Sequence, residues 1–484
     1  MKLKEAFLEK YRSDRVLLGE WIMLGVTVLF VFAASCYVDL QSLTIWSTNV
    51  LDCIYDGDLR NLYAYTAQNL HHVQHQYLGS ELFSVLPLSI WNIPIWIIQR
   101  FFGREIMHSA VLMAWSKLFG ILLTAIMLKY THKITMLLTG DRTKSMWAVF
   151  LTASSTFLYL GVYYAGQNDI IMMVPSVIGI YYLLKGKEKW FLIWSAIAIA
   201  IKPFFLFAFL AVLLLYEKNV IKVILKAAVS VIGIVFQKVL FMGAPMYKES
   251  IELGPTSDML GKMFPTNLET SFGGVSFFAI ALVLIFLYAY TRDFKTEDIK
   301  KLDNSFAKYV IYFVTLTNTA YLMFSPFSYY RVAILVPFLY IMMVQHKRMY
   351  FYNGILETAM TAGLLLKLTL KSSGAFRIKT LNLSLIQRFF GYSVSLGQQE
   401  GAYTSIRTYL TENSMLLSFL PLFSGIAVVC AILLLIINHP AEKIKTPLGG
   451  DKNCRVLLWG RVLMMAPFIL ATIWLFIKAP IKYY

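Results

Sequence analysis

Apolar residues along this chain come in long unbroken runs rather than in short alternating segments. The runs occupy 16–37, 108–130, 146–163, 169–185, 190–201, 203–216, 220–242, 272–290, 307–324, 330–346, 350–370, 414–437 and 456–477. Most have the ~17–24 residues that a helix needs to cross about 30 Å of hydrocarbon. Alternating segments of the kind that build a membrane β-barrel are absent. The expectation is an all-α polytopic membrane protein of about 11–13 transmembrane helices, forming one integral membrane domain over 1–484.

Composition sharpens this picture. The chain is 58% hydrophobic and only 15% charged, with a mean hydropathy of +0.63, more apolar surface than a soluble fold can hide. A formal charge of +17 sits mostly in short loops, where anionic lipid and the positive-inside rule account for it, so nucleic-acid binding is not expected. Cys36, Cys53, Cys430 and Cys454 are scattered and imply neither a disulfide framework nor a CxxC site. The first run is too long for a signal-peptide core and has no small-residue cleavage site, so it reads as a retained span.

Two ambiguous stretches decide the topology. In 82–102, Pro87 and Pro94 break the run, while Trp91, Trp96 and Arg100 suit an interfacial or re-entrant segment. The 190–216 region reads as two short helices broken at Lys202-Pro203. With the N-terminus cytoplasmic, nearly every short basic cluster then falls inside, including Lys133, Arg142 and Lys144, and Lys185, Lys187 and Lys189. The polar stretch 38–107 becomes the first extracytoplasmic loop, and 371–413 a second large one. Asp39, the Gly166-Gln167-Asn168-Asp169 cluster, the Lys202-Pro203 break, the Ser325–Arg331 turn and the 371–413 loop all reach that same outer face.

Among these residues Asp39 comes first. An ionised carboxylate just past a span needs water or a partner; it can serve as a general base or a metal ligand, against the plainer reading of a solvated helix end. Asp56-Gly57-Asp58 resembles a DxD metal motif, but Asp-Gly is first a turn signal and is read as a turn. His71 and His75 would share a helix face, with His72 beside them; without HExxH they read as polar interfacial histidines. Asn168 or Asp169 can be a helix N-cap, while Gln167 and Asp169 can equally hydrogen-bond sugar hydroxyls. Lys202, set between apolar residues, faces a polar cavity, a lipid phosphate or, by snorkelling, the interface. Arg331, after Ser328-Tyr329-Tyr330, suits bidentate phosphate binding, with tyrosines to pack on a sugar or lipid; an aromatic-belt anchor is the competing account.

Taken together, the pattern resembles the GT-C glycosyltransferases, integral membrane enzymes that use polyprenyl-phosphate sugars as donors. It looks most like the branch holding bacterial polyprenol-phosphate-mannose-dependent transferases and the first mannosyltransferase of GPI-anchor synthesis. The matching features are the acidic first outer loop with Asp39, the proline-broken 82–102 segment, Gly166-Gln167-Asn168-Asp169, Lys202-Pro203, and Ser328-Tyr329-Tyr330-Arg331 leading to Pro337. They span residues 30–340; the C-terminal third carries no matching motif.

The resemblance implies a GT-C-like fold with juxtamembrane helices in the first outer loop. Asp39 would be the catalytic carboxylate, Lys202 and Arg331 donor-phosphate contacts, and Gln167, Asp169, Tyr329 and Tyr330 pocket residues. Family members often carry paired acids where this chain reads Tyr37-Val38-Asp39. A metal-independent reaction with no required cofactor is therefore expected, a divalent metal being the alternative. The implied activity moves mannose or another hexose from a polyprenyl-monophosphate donor to a lipid or glycan acceptor at the extracytoplasmic face, with inversion. The absence of an evident eukaryotic retention signal points to a bacterial plasma membrane. The alternatives are a transporter or flippase of lipid-linked sugars, against which no internal repeat is seen, and a polysaccharide polymerase.

Overall fold

The computed structural model describes residues 15–69, 78, 81–103, 109–253, 263–295, 297, 304–325, 329–345, 350–371, 384–390, 414–441 and, near the C-terminus, 460–461, 465–466, 469–470 and 473. Each of the first twelve apolar runs carries a helix. α1 (Leu18–Ala34), α2 (Val38–Tyr55) and α3 (Leu62–Gln68) are followed by α4 (Leu82–Trp91), α5 (Ile93–Phe102) and the long α6 (Ala110–Thr139). α7 (Arg142–Ala153) continues through a helical turn, Thr156–Leu158, and a π-helical turn, Tyr159–Tyr164. α8 (Asp169–Leu184), α9 (Glu188–Ile201), α10 (Phe205–Tyr216) and α11 (Val220–Leu240) come next, then α12 (Tyr247–Leu253). A hairpin of β1 (Leu268–Thr270) and β2 (Gly273–Val275) precedes α13 (Phe277–Tyr290) and α14 (Asn304–Phe324). A 3₁₀ segment (Tyr329–Leu335) leads into α15 (Val336–Val344), followed by α16 (Tyr350–Lys371), α17 (Leu385–Phe390), α18 (Ser414–Ser418) and α19 (Leu420–Ile437).

This is an integral membrane protein. Among the described residues Ala110–Thr139, Arg142–Tyr164, Val220–Leu240 and Leu420–Ile437 are each long and apolar enough to cross a bilayer, and the number rises to six if each of the bent pairs α1–α2 and α4–α5 is one span. α8, α10, α13 and Arg331–Val344 are apolar but shorter; the larger number expected from the runs counts such helices as spans. The bundle has a clear inside. The most apolar window of Arg142–Tyr164 is 89% buried, whereas that of Val220–Leu240 is 11% buried. α11 leaves Ile221, Ile224, Leu225, Ile232 and Phe236 uncovered, a continuous apolar surface that water would not tolerate and lipid does.

Several boundaries depart from the sequence reading, each for a local reason. The 82–102 segment does bend, by 74°, but Pro87 lies inside α4 without breaking it. The break falls at Asn92, and Pro94 occupies the first turn of α5, where its missing N–H has no helical acceptor to lose. Asn92 is fully buried. Its Nδ2 donates to Ser47 Oγ of α2 at 2.8 Å, and its Oδ1 accepts from Ser116 Oγ of α6 at 3.1 Å. Trp96 and Arg100 turn toward the carboxylate of Asp52, with Trp96 Nε1 2.8 Å from Asp52 Oδ1. The 108–130 run continues as helix to Thr139 and carries Lys133 with it; Gly140, at φ +62°, ends it in the left-handed conformation that glycine adopts at least cost. The 272–290 run begins only at Phe277, because its glycines pair in the hairpin. The division of 190–216 into two helices at Lys202-Pro203 agrees with the expectation.

Candidate active site

The site forms where four chain breaks meet. The first is the elbow between α1 and α2, whose axes differ by 69°. Ser35, Cys36 and Tyr37 run outside helix, and Asp39 stands in the first turn of α2, where the helix dipole favours a carboxylate. Asp39 is partly buried at this helix end. Its Oδ2 accepts a hydrogen bond of 2.5 Å from Gln167 Nε2.

The second break is the π-helical turn after α7. There the Gln167 N–H reaches back to Gly161 O at 2.9 Å, a widened geometry common where helices are shaped around function. Gly166 has φ +60°, and a Cβ on it would lie 3.1 Å from Leu40 Cδ1. The turn and the elbow are thus stitched side by side. Ser35 Oγ lies 3.3 Å from Tyr164 O, the Tyr37 and Tyr164 rings are 6.1 Å apart, and Asp39 meets Gln167.

The third break separates α9 from α10. Lys202 is extended (φ −148°, ψ 130°), as the residue before proline should be. Its Nζ donates to Asn168 Oδ1 at 2.6 Å and Asp169 Oδ1 at 2.5 Å. Carbonyls freed by Pro203 need donors in an apolar setting; Gln237 Nε2 supplies one to Ala200 O at 2.9 Å, and its Oε1 accepts from Phe83 N–H at 2.6 Å. The fourth break is the 3₁₀ segment. Arg331 places its guanidinium 5.1 Å over the Phe204 ring and stands beside the Tyr321 hydroxyl. Asp39 and Arg331 both lie within electrostatic reach of Lys202.

Asp39, Gln167, Asp169, Lys202 and Arg331, from four of the five stretches singled out in the sequence, lie in one cluster; the fifth, 371–413, lies largely outside the described residues. The cluster is buried within the bundle. Charged side chains there carry a large desolvation cost unless paired. The Lys202 and Asp169 side chains are 9% and 2% exposed, and Asp169 Oδ2 has no hydrogen-bond partner among the described residues. A small cleft beside the cluster, lined by Leu40, Ser116, Lys117, Gly166, Gln167 and Asn168, has room for about one or two waters.

Other candidates resolve differently. Neither Asn168 nor Asp169 caps α8 with its side chain; Lys202 takes both instead. Lys202 does not snorkel, and its first partners are protein oxygens, with two of its three donor positions engaged. Asp56-Gly57-Asp58 is the turn it was read as. Gly57 has φ +72°, and Asp58 N–H and Gly57 N–H bond back to Cys53 O and Ile54 O, a Schellman ending to α2. Among the described residues no group of three or more His, Cys, Asp or Glu could hold a metal. Cys36, Cys53 and Cys430 are buried free thiols. His71, His72, His75, Ser328, Cys454 and the side chains of Tyr329 and Tyr330 lie outside the described residues, as do the 371–413 loop apart from 384–390 and most of 456–477.

The sequence reading passed over Lys117. It is a buried lysine of α6 whose Nζ donates to Val31 O at 3.1 Å, Phe32 O at 3.3 Å, Ser35 O at 2.8 Å and Ser35 Oγ at 2.9 Å. A lysine inside the apolar run Met113-Ala114-Trp115-Ser116-Lys117-Leu118-Phe119 carries the same signal that singled out Lys202. Phe204, Tyr321 and Gln237 had no such signal, being ordinary membrane-helix residues until the breaks bring them together. No family model matches the chain, and no curated protein or solved structure matches it either.

Proposed function

We propose that this chain is a GT-C-type glycosyltransferase that moves a single hexose, mannose being the first candidate, from a polyprenyl-monophosphate donor to an acceptor hydroxyl at the extracytoplasmic face of a bacterial plasma membrane. The observation that carries the reading is the Asp39–Gln167 pair set beside Asp169–Lys202 and Arg331 at helix breaks inside the bundle. Two acids and two cations gathered inside an apolar bundle cost free energy that packing alone does not require. A phosphate entering from lipid would find a positive pole at Arg331 and the remaining Lys202 donor. Asp169 Oδ2 is an acceptor for a sugar hydroxyl.

In this mechanism Asp39 takes the proton of the acceptor hydroxyl, and that oxygen attacks the anomeric carbon. The bond from that carbon to the phosphate oxygen breaks, and polyprenyl phosphate leaves with the bonding pair. One displacement inverts the anomeric centre. The base step supplies ~10²–10⁴-fold, with the rest from positioning and from stabilising the phosphate. Gln167 holds Asp39 in place. No step requires a metal.

The test is transfer from a panel of polyprenyl-monophosphate sugars by purified protein, with Asp39→Asn alongside. Polyprenyl phosphate released with one sugar, and lost in Asp39→Asn while the protein stays monodisperse, supports the reading. Full activity in Asp39→Asn removes that residue from the role. A second reading, transport of lipid-linked sugar, is favoured by one observation: an ion pair at a break between two short helices, an arrangement transporters use. Movement of labelled lipid-linked sugar across liposomes without chemical release would select it.

A further inference from the structure

We propose that Lys117 is the positioning residue that fixes the α1–α2 elbow and, through it, the location of Asp39; its catalytic consequence rests on the function proposed above. Lys117 lies on α6, seven residues from its start at Ala110, or roughly 10 Å into the helix. It is 2% exposed. There its ammonium bonds two of the four carbonyls in the last turn of α1, those of Val31 and Phe32, together with the Ser35 carbonyl and hydroxyl.

Helix α1 ends without a glycine and without a left-handed residue, since Ser35 is extended (φ −130°, ψ 139°). Of its terminal carbonyls, Val31 O receives the Ser35 N–H at 3.2 Å and the Ser35 hydroxyl at 2.8 Å; Lys117 adds a charged donor there and also reaches Phe32 O, whose helical partner would be a residue beyond the helix end. In hydrocarbon such groups favour continuing the helix, which would carry Asp39 away from Gln167. A single buried cation that accepts this load lets the chain turn by 69° where Asp39 must begin α2. The same ammonium is attracted to the negative end of the α1 dipole. Ser35 transmits the constraint, because its hydroxyl also contacts Tyr164 O, one step from the turn that presents Gln167.

The test needs no activity. Spin labels at Val26→Cys on α1 and Ile54→Cys on α2, both exposed positions, report the elbow by their distance distribution in protein lacking its native cysteines. Lys117→Met should shift or at least double the width of that distribution, and Lys117→Arg should restore it. Should Lys117→Met not be recovered as a monodisperse species, Ser35→Ala carries the same test, since it removes one acceptor and the Tyr164 contact. An unchanged distribution in the folded variant overturns the proposal. In the transfer assay Lys117→Met should lower kcat by about a hundredfold with little change in KM for the donor, with Lys117→Arg recovering most of it. A displaced elbow in a chain that transfers no sugar at all would leave the elbow role standing and remove the transferase reading. A displaced elbow with unchanged kcat would overturn the link from Lys117 to Asp39.

Discussion

Gly166 and Leu40 are in such close contact that a single added methyl would be felt: a Cβ on Gly166 would come within 3.1 Å of Leu40 Cδ1 and 3.3 Å of its Cβ. Leu40 follows Asp39 directly, and Gln167 follows Gly166, so this contact sets the register of the pair that defines the site. Gly166→Ala meets two penalties, the crowding and a φ of +60°. It should cost about 1–3 kcal/mol of stability and lower transfer by at least tenfold, because Leu40 must move and take Asp39 with it. Thermal unfolding in detergent and the transfer assay check both. Unchanged values would mean the turn is more adaptable than its geometry implies.

The Lys202–Asp169 pair makes a different prediction. Removing one partner of a buried ion pair leaves a charge without compensation, at a cost of roughly 3–5 kcal/mol. Lys202→Met should therefore unfold at markedly lower denaturant, and Asp169→Asn likewise. The double variant should recover much of the loss, since neither buried charge then remains. Strict additivity of the two single effects would show that the pair is not coupled.

Gln167 can be separated from Asp39 by substitution. Gln167→Leu keeps the approximate volume and removes the 2.5 Å hydrogen bond to the carboxylate. A bond to a charged acceptor is worth about 1.5–3 kcal/mol, so kcat should fall about ten- to a hundredfold while the fold persists. Loss of activity as complete as in Asp39→Asn would instead give Gln167 a direct role.

A pH dependence arises at the other end of α9 and α10, in the turn before α11. Burial raises the Glu217 carboxyl, but hydrogen bonds from Lys226 Nζ at 2.7 Å and the Asn219 N–H at 3.1 Å outweigh it, and the net shift is downward. A carboxyl whose folded pKa lies below its unfolded value stabilises the fold above the unfolded pKa, and that contribution is lost as pH falls through the folded one. Stability should therefore decline below the ordinary glutamate value of 4.5, and less steeply in Glu217→Gln. Melting temperatures between neutral pH and about pH 3.5 would test this, and parallel curves for the two proteins would exclude Glu217 as a contributor.

How much could be read from the chain alone depends on what each signal measures. Long apolar runs report the cost of exposing backbone and side chains to lipid, a local quantity, so helices appear where the runs lie, from 16–37 to 414–437. The break at Lys202-Pro203 was equally legible, because proline removes a donor and constrains its predecessor wherever it stands. Pro87 misled for the complementary reason: a proline tolerated inside α4 looks the same in sequence as one that ends a helix, and what turned the chain was Asn92 finding partners on α2 and α6. Loop parity suggested that Asp39, Gln167, Asp169, Lys202 and Arg331 could meet; which of them touch it could not say. Asp39 pairs with Gln167, Lys202 with Asp169, and Lys117 with the end of α1, and each choice depends on which donor meets which acceptor across helices more than 30 residues apart. Sequence determines the price of burying a polar group. Only the packed bundle decides which neighbour satisfies it.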